Sequence, residues 1–111
     1  MEVSEIGGFT LEFLTELKQL EPFGPGNEIP IFGLRNVTLL DTRLLGTEGQ
    51  HVRVLVRGSD GNTMKLLAFN APDQWKKVEN GSSVEVFMNV EENSWNGLRS
   101  VEGRILDLRG C

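Results

Sequence analysis

His51-Val-Arg-Val-Leu-Val-Arg-Gly-Ser-Asp-Gly-Asn-Thr-Met-Lys-Leu-Leu-Ala-Phe-Asn70 is the stretch on which the architecture turns, because its side chains alternate at period two on either side of a turn-rich Ser59-Asp60-Gly61-Asn62. Before the turn, Val52, Val54 and Val56 share one face, while His51, Arg53, Leu55 and Arg57 share the other. After it, Met64, Leu66 and Ala68 take one side, and Lys65, Leu67 and Phe69 the opposite one. The two apolar faces coincide only if the loop holds an odd number of residues, most simply Asp60-Gly61-Asn62. That register pairs Arg57 with Lys65, Leu55 with Leu67 and Arg53 with Phe69. The hairpin then carries three cations and an exposed aromatic, interleaved with two leucines.

Working outward, the same period marks five strands, over about 31–45, 51–58, 63–70, 84–92 and 98–109. The first is long enough to need a bend, which Gly33 and the polar Asn36 would supply. Thr47-Glu48-Gly49-Gln50 and Asn93-Ser94-Trp95-Asn96-Gly97 read as turns. Residues 71–78, with Pro72 near their start, are the later stretch with helical spacing and suit one or two turns. The order is β, β, β, short α, β, β. It predicts an all-β domain, a five-stranded Greek-key barrel of the OB type with a short helix between the third and fourth strands. The competing arrangement is an open sheet covered by an N-terminal helix. That helix is marked by the stripe Phe9, Phe13, Leu14, Leu17 and Leu20, with Thr10 as its N-cap, and it is stopped by Glu21-Pro22-Phe23-Gly24-Pro25-Gly26-Asn27. The chain divides into 1–30, helix and Pro/Gly-rich junction, and 31–111, the OB-fold domain.

Composition narrows the function classes. With 111 residues, one core is feasible but thin, leaving little room for a deep substrate cavity. No run of 18 apolar residues suggests a membrane span, and no basic segment before an apolar stretch suggests a signal peptide. A single cysteine excludes an internal disulfide; Cys111, in last position, reads as the margin of a longer chain, and a reducing cytoplasm is the expected setting. The net charge of -5 argues against a nucleic-acid partner only if spread evenly. It is not: residues 1–30 carry six glutamates against Lys18, residues 31–111 are balanced, and between His51 and Asn70 three bases face one acid, Asp60.

The run Leu20-Glu21-Pro22-Phe23-Gly24-Pro25-Gly26-Asn27, followed by Pro30 and Phe32, resembles the junction that leads into the OB domain of the RecJ family of single-strand-specific exonucleases. The resemblance continues through Arg35-Asn36-Val37, His51, Ala68-Phe69-Asn70 and Asn93-Ser94-Trp95-Asn96-Gly97, covering most of 12–109; Glu28 stands where the family usually has proline. It implies an accessory domain of a 5′ to 3′ exonuclease of DNA repair and recombination, one that holds single-stranded DNA for the catalytic module of the parent chain. The family cuts with a DHH motif and divalent metal; this chain has no such motif and a single histidine. No catalytic residue, metal ligand or cofactor is expected here, the metal belonging to the catalytic module.

Single strands are held by cations at phosphates and aromatics under bases. Arg53, Arg57 and Lys65 are the candidate phosphate contacts and Phe69 the candidate platform; the competing reading makes them a solvated face, with Phe69 covered by a loop. Trp95 is a second platform or a lid over one barrel end, and Trp75 a plug beneath the barrel. Arg99 and Arg104 are further phosphate candidates unless they pair with Glu102. His51 has no identifiable nucleophile partner and would serve, when protonated, as a donor to phosphate. The helix stripe with Phe23 caps the barrel or once met another domain. The alternative function is a scaffold that positions neighbouring domains or binds a replication or repair protein, without DNA binding of its own.

Overall fold

In the computed structural model, residues 2–3, 5–19 and 30–110 are described. The junction 20–27, with Leu20 and Phe23 of the stripe, lies outside them, as does Cys111. The elements run β1 (Glu2–Val3), α1 (Leu11–Lys18), β2 (Phe32–Leu45), β3 (His51–Arg57), β4 (Thr63–Ala68), α2 (Asp73–Lys76), β5 (Ser83–Trp95) and β6 (Leu98–Gly110).

The alternation of β3 and β4 sends Val52, Val54, Val56, Met64, Leu66 and Ala68 inward, all buried. Each fully buried valine contributes about 1.5–3 kcal/mol of apolar transfer. They meet Leu34, Val37 and Leu39 of β2, Val84, Val86 and Met88 of β5, and Ile105 and Leu108 of β6 in one core. The long strands pair in the order β2-β3-β4-β6-β5, and β5 returns to β2, so the sheet closes into a five-stranded barrel. Within the barrel all neighbours are antiparallel except β4 and β6, which run parallel; the short β1 adds a second parallel pairing, to β2. This is the OB-type arrangement.

β2 reaches two partners because it bends. Its first half pairs with β5 and its second with β3, and the register shifts between Leu34 and Val37, where Asn36 has φ +54°, and again between Leu39 and Asp41. Gly33 lies just before the bend, paired with Glu2 on one side and Phe87 on the other. Where β6 crosses β4, Gly103 is buried. A Cβ there would come within 2.5 Å of Met88 Sδ and 2.6 Å of Leu66 Cδ2, so only glycine fits this approach.

α1 is capped as its sequence predicts, Phe13 N–H donating to Thr10 Oγ1 at 3.1 Å. Phe9, Phe13 and Leu17 lie against the core, and Phe9, Phe13 and Phe32 form three edge-to-face ring pairs with centroids 5.4–5.6 Å apart. Of the two roles open to the helix, the described part caps the barrel. Trp75 of α2 is buried in the core and plugs it from another side.

Two local expectations are corrected. The β3–β4 loop spans five residues, closed by Gly58 N–H to Asn62 O at 2.9 Å, so the register sits two residues from the one deduced from a three-residue turn. Arg57 pairs with Thr63, Leu55 with Lys65 and Arg53 with Leu67; the faces are unchanged because the shift is even. The longer loop has a use: Asp60 accepts from Gly7 N–H at 2.8 Å and Ile6 N–H at 3.3 Å, tying the N-terminal segment to the barrel beside buried Ile6. The second correction concerns Trp95. It ends β5, paired with Leu98, and the turn is only Asn96-Gly97, both at positive φ as a two-residue hairpin with right-handed strand twist demands.

Candidate nucleic-acid interface

The register orders the outer surface over β2, β3, β4 and β6 into rows crossing the strands. Arg43, Arg53, Leu67 and Arg104 form one row, Asp41, Leu55, Lys65 and Glu102 the next, and Thr38, Arg57 and Thr63 a third. Leu45 and His51 begin a row on the other side of Arg43 and Arg53. The structure therefore brings Arg53, Arg57, Lys65 and His51 to one face. It adds Arg43, which the sequence reading missed, because the shift between Leu39 and Asp41 decides which β2 side chains point outward.

Among the described residues, the ion pairs engage Lys18, Arg35, Arg43, Lys76, Arg99, Arg104 and Arg109, and none engages Arg53, Arg57 or Lys65. An open depression of about 270 Å³ is lined by Asp41, Arg43, Arg53, Val54, Leu55 and Lys65. Among the described residues Asp41, 3.4 Å from Arg43 Nε, is the one acid lining it, against three cations.

Phe69 follows β4 and remains half exposed, not covered by a loop. The His51 ring meets it edge-on at 5.1 Å, and the Arg104 guanidinium lies 4.5 Å from its centroid. Asn70, at φ +51°, donates its N–H to His51 Nδ1 at 3.0 Å. That bond assigns the ring proton to Nε2, so His51 presents an N–H outward as a donor.

Arg104 also donates to Glu91 Oε1 at 2.9 Å, while its Nε is buried without a partner. Arg99 donates to Glu92 Oε1 at 2.7 Å, and this hydrogen bond, more than the nearby Lys18, holds the Glu92 carboxyl below its usual range. The acids that pair these two arginines are thus Glu92 and Glu91, not Glu102, which instead accepts from Asn93. Alternation places Arg99 with Glu92 on the side of the hairpin facing α1, away from the cationic rows, and places Trp95 and Leu98 on the same side as Glu102 and Arg104. Trp95 and Leu98 are 73% and 74% exposed, so Trp95 closes no barrel end.

The described residues contain no helix long and apolar enough to cross a membrane, and no three His, Cys, Asp or Glu side chains gathered to hold a metal ion.

Residues 2–107 match the family described as the RecJ OB domain. The chain is 34% identical over 102 residues to the single-stranded-DNA-specific exonuclease RecJ of Thermus thermophilus and 25% identical over 118 residues to that of Bacillus subtilis. These alignments take in 92% and 97% of the chain but only 14% and 15% of those proteins. The crystal structure of the Thermus thermophilus RecJ with Mg2+ superposes with a TM-score of 0.72 at 33% identity, over 96% of this chain and 15% of that one. The mitochondrial single-stranded DNA binding protein Rim1 of S. cerevisiae shares the fold, with a TM-score of 0.57 at 11% identity over 75% of this chain and 94% of its own.

Proposed function

This chain belongs to the RecJ OB domain family, and from that premise we propose that it is the accessory part of a RecJ-like 5′ to 3′ exonuclease that holds single-stranded DNA. The catalytic module of the parent chain, with its divalent metal, would cut the strand, in the cytoplasm. The observation that carries the reading is the cationic face: among the described residues Arg53, Arg57 and Lys65 form no ion pair, on the same outer face as the half-exposed Phe69. Unpaired cations at phosphates and aromatic rings under bases suffice to grip a single strand without reading its sequence. His51 contributes an Nε2–H, Arg104 braces the Phe69 ring, and Trp95 supplies a second platform at the hairpin tip. Arg99, tied to Glu92 on the far side, is the weakest of the candidates.

Fluorescence anisotropy of a labelled oligothymidine, titrated across a salt series, tests this. Affinity should fall linearly on a log–log plot with salt, and replacing Arg53, Arg57 and Lys65 together with alanine should flatten the slope by about 2, at roughly 0.7 per lost single-strand phosphate contact. Absence of binding at low salt would reject the reading. It would favour the second one, in which the apolar hairpin tip, with Trp95 and Leu98 beyond the barrel core, contacts a neighbouring domain or a replication or repair protein.

A further inference from the structure

Arg43 and Arg53 are direct cross-strand partners, and side chains so placed have Cβ atoms about 4.5–5.5 Å apart. Like charges in that position repel, and sheets normally alternate signs or interpose a neutral residue. Asp41, at 3.4 Å from Arg43, offsets one of the two charges; Lys65 lines the same depression, while its cross-strand neighbour Glu102 does not line it and makes no ion pair with it, so Lys65 restores the excess. Two cations directly opposed across a ladder break the rule of sign alternation locally, a violation of the kind that marks a functional position. The surroundings supply what a phosphate needs: two guanidinium forks, an ammonium, an open mouth and the apolar Leu55 beside them for a sugar.

We propose that Arg43 and Arg53, with Lys65, form a discrete seat for one phosphate group, and that this seat is the anchor point of the bound single strand. The seat stands on geometry alone; its assignment to a phosphodiester rests on the single-strand reading given above. Asp41 acts as its counter-charge, limiting the repulsion when the seat is empty.

The seat predicts effects of opposite sign on folding and binding, which a merely solvated arginine would not produce. The side chain of Arg43 is largely exposed, so its replacement leaves the core intact. In Arg43→Gln the repulsion is relieved and Asp41, which lines the same depression as Arg53, is left to the remaining cation, so the thermal midpoint should rise, by about 1–6 °C. The same variant should bind oligothymidine more weakly, with the log–log salt slope reduced by about 0.7. Arg43→Glu should move both quantities further in the same directions. Inorganic phosphate, exchanged for chloride at constant ionic strength, should raise the midpoint of the wild type more than that of Arg43→Gln.

An unchanged or lowered midpoint in Arg43→Gln, or a raised midpoint with an unchanged salt slope, overturns the seat while leaving the single-strand reading standing. If oligothymidine fails to bind the wild type at any salt, that reading falls. The phosphate arm then decides: selective stabilisation of the wild type keeps the seat as a phosphate site, and equal stabilisation of both proteins removes it.

Discussion

Asp60 shows how one side chain organises a loop. Hydrogen bonds from the Asn62 amide group, then from Gly7 N–H, with smaller help from Ile6 N–H and Asn62 N–H, lower its pKa to about 2. A carboxylate depressed in the folded state stabilises that state above its unfolded pKa of about 3.9 and loses the contribution as pH falls through the folded value. The contribution should therefore fade between about pH 4 and pH 2. Thermal melts over this range should show Asp60→Asn less stable than the wild type at pH 5, with the gap closing toward pH 2; a gap independent of pH would remove Asp60 from the latch. A Cβ at Gly7 would sit 2.8 Å from Asn62 Nδ2 and 2.9 Å from Asp60 Oδ2, so a side chain there would have to push these two groups out of the latch. Gly103 is held more tightly, because the side chains a Cβ would meet there, Met88 and Leu66, are fully buried. Gly103→Ala must displace Met88 and Leu66 and should cost about 1–3 kcal/mol in denaturant unfolding, a cost that should be smaller when measured in a Met88→Ala background if the close approach is its cause.

At the scale of elements, the sequence carried the faces and misjudged the pairings. Period-two alternation survives any even shift, so the inward valines of β3 and the outward cations were legible from residues alone. Which cation opposes which partner depends on loop length, and a five-residue loop braced by Asp60 cannot be told from a three-residue turn without knowing that Ile6 and Gly7 lie beside it. The missed Arg43 has the same origin, since the shift in β2 arises from its having to serve β5 and β3 in turn. The turn after β5 was read too long, as 93–97, because Asn93 and Ser94 are turn formers in their own right; the ladder continues to Trp95 and leaves only Asn96-Gly97 to turn. The hairpin tip now makes a prediction of its own. Trp75 is buried and Trp95 is exposed, so DNA added from solvent should quench chiefly the emission of Trp95, and Trp95→Ala should weaken oligothymidine binding by about 1–3 kcal/mol if a base stacks there. Binding by anisotropy with no quenching would assign the tip to a protein contact.

For the whole molecule, the distribution of charge matters more than its sum. The acidic excess read from residues 1–30 is remote in sequence from β3 and β4, and the acids that stand in the cationic rows, Asp41 and Glu102, are engaged by Arg43 and Asn93, with Glu91 engaged by Arg104. An acidic protein can thus present a locally cationic face. Closure of the barrel was legible from strand order, whereas the role of the N-terminal segment was not: two residues of β1, running parallel to Gly33 and Leu34, carry too little pattern to register as a strand.

Barrel closure also has a kinetic consequence. The β2–β5 ladder joins Phe32 to Met88 and Thr38 to Ser83, so the chain must bring together segments separated by nearly half its length before that seam repays the loop entropy spent on it. Folding dominated by such distant pairings runs on the millisecond-to-second scale. Until the seam forms, the edges of β2 and β5 stand open to strands of other molecules, and the time spent in that state, more than the stability of the finished barrel, sets how readily the nascent domain aggregates.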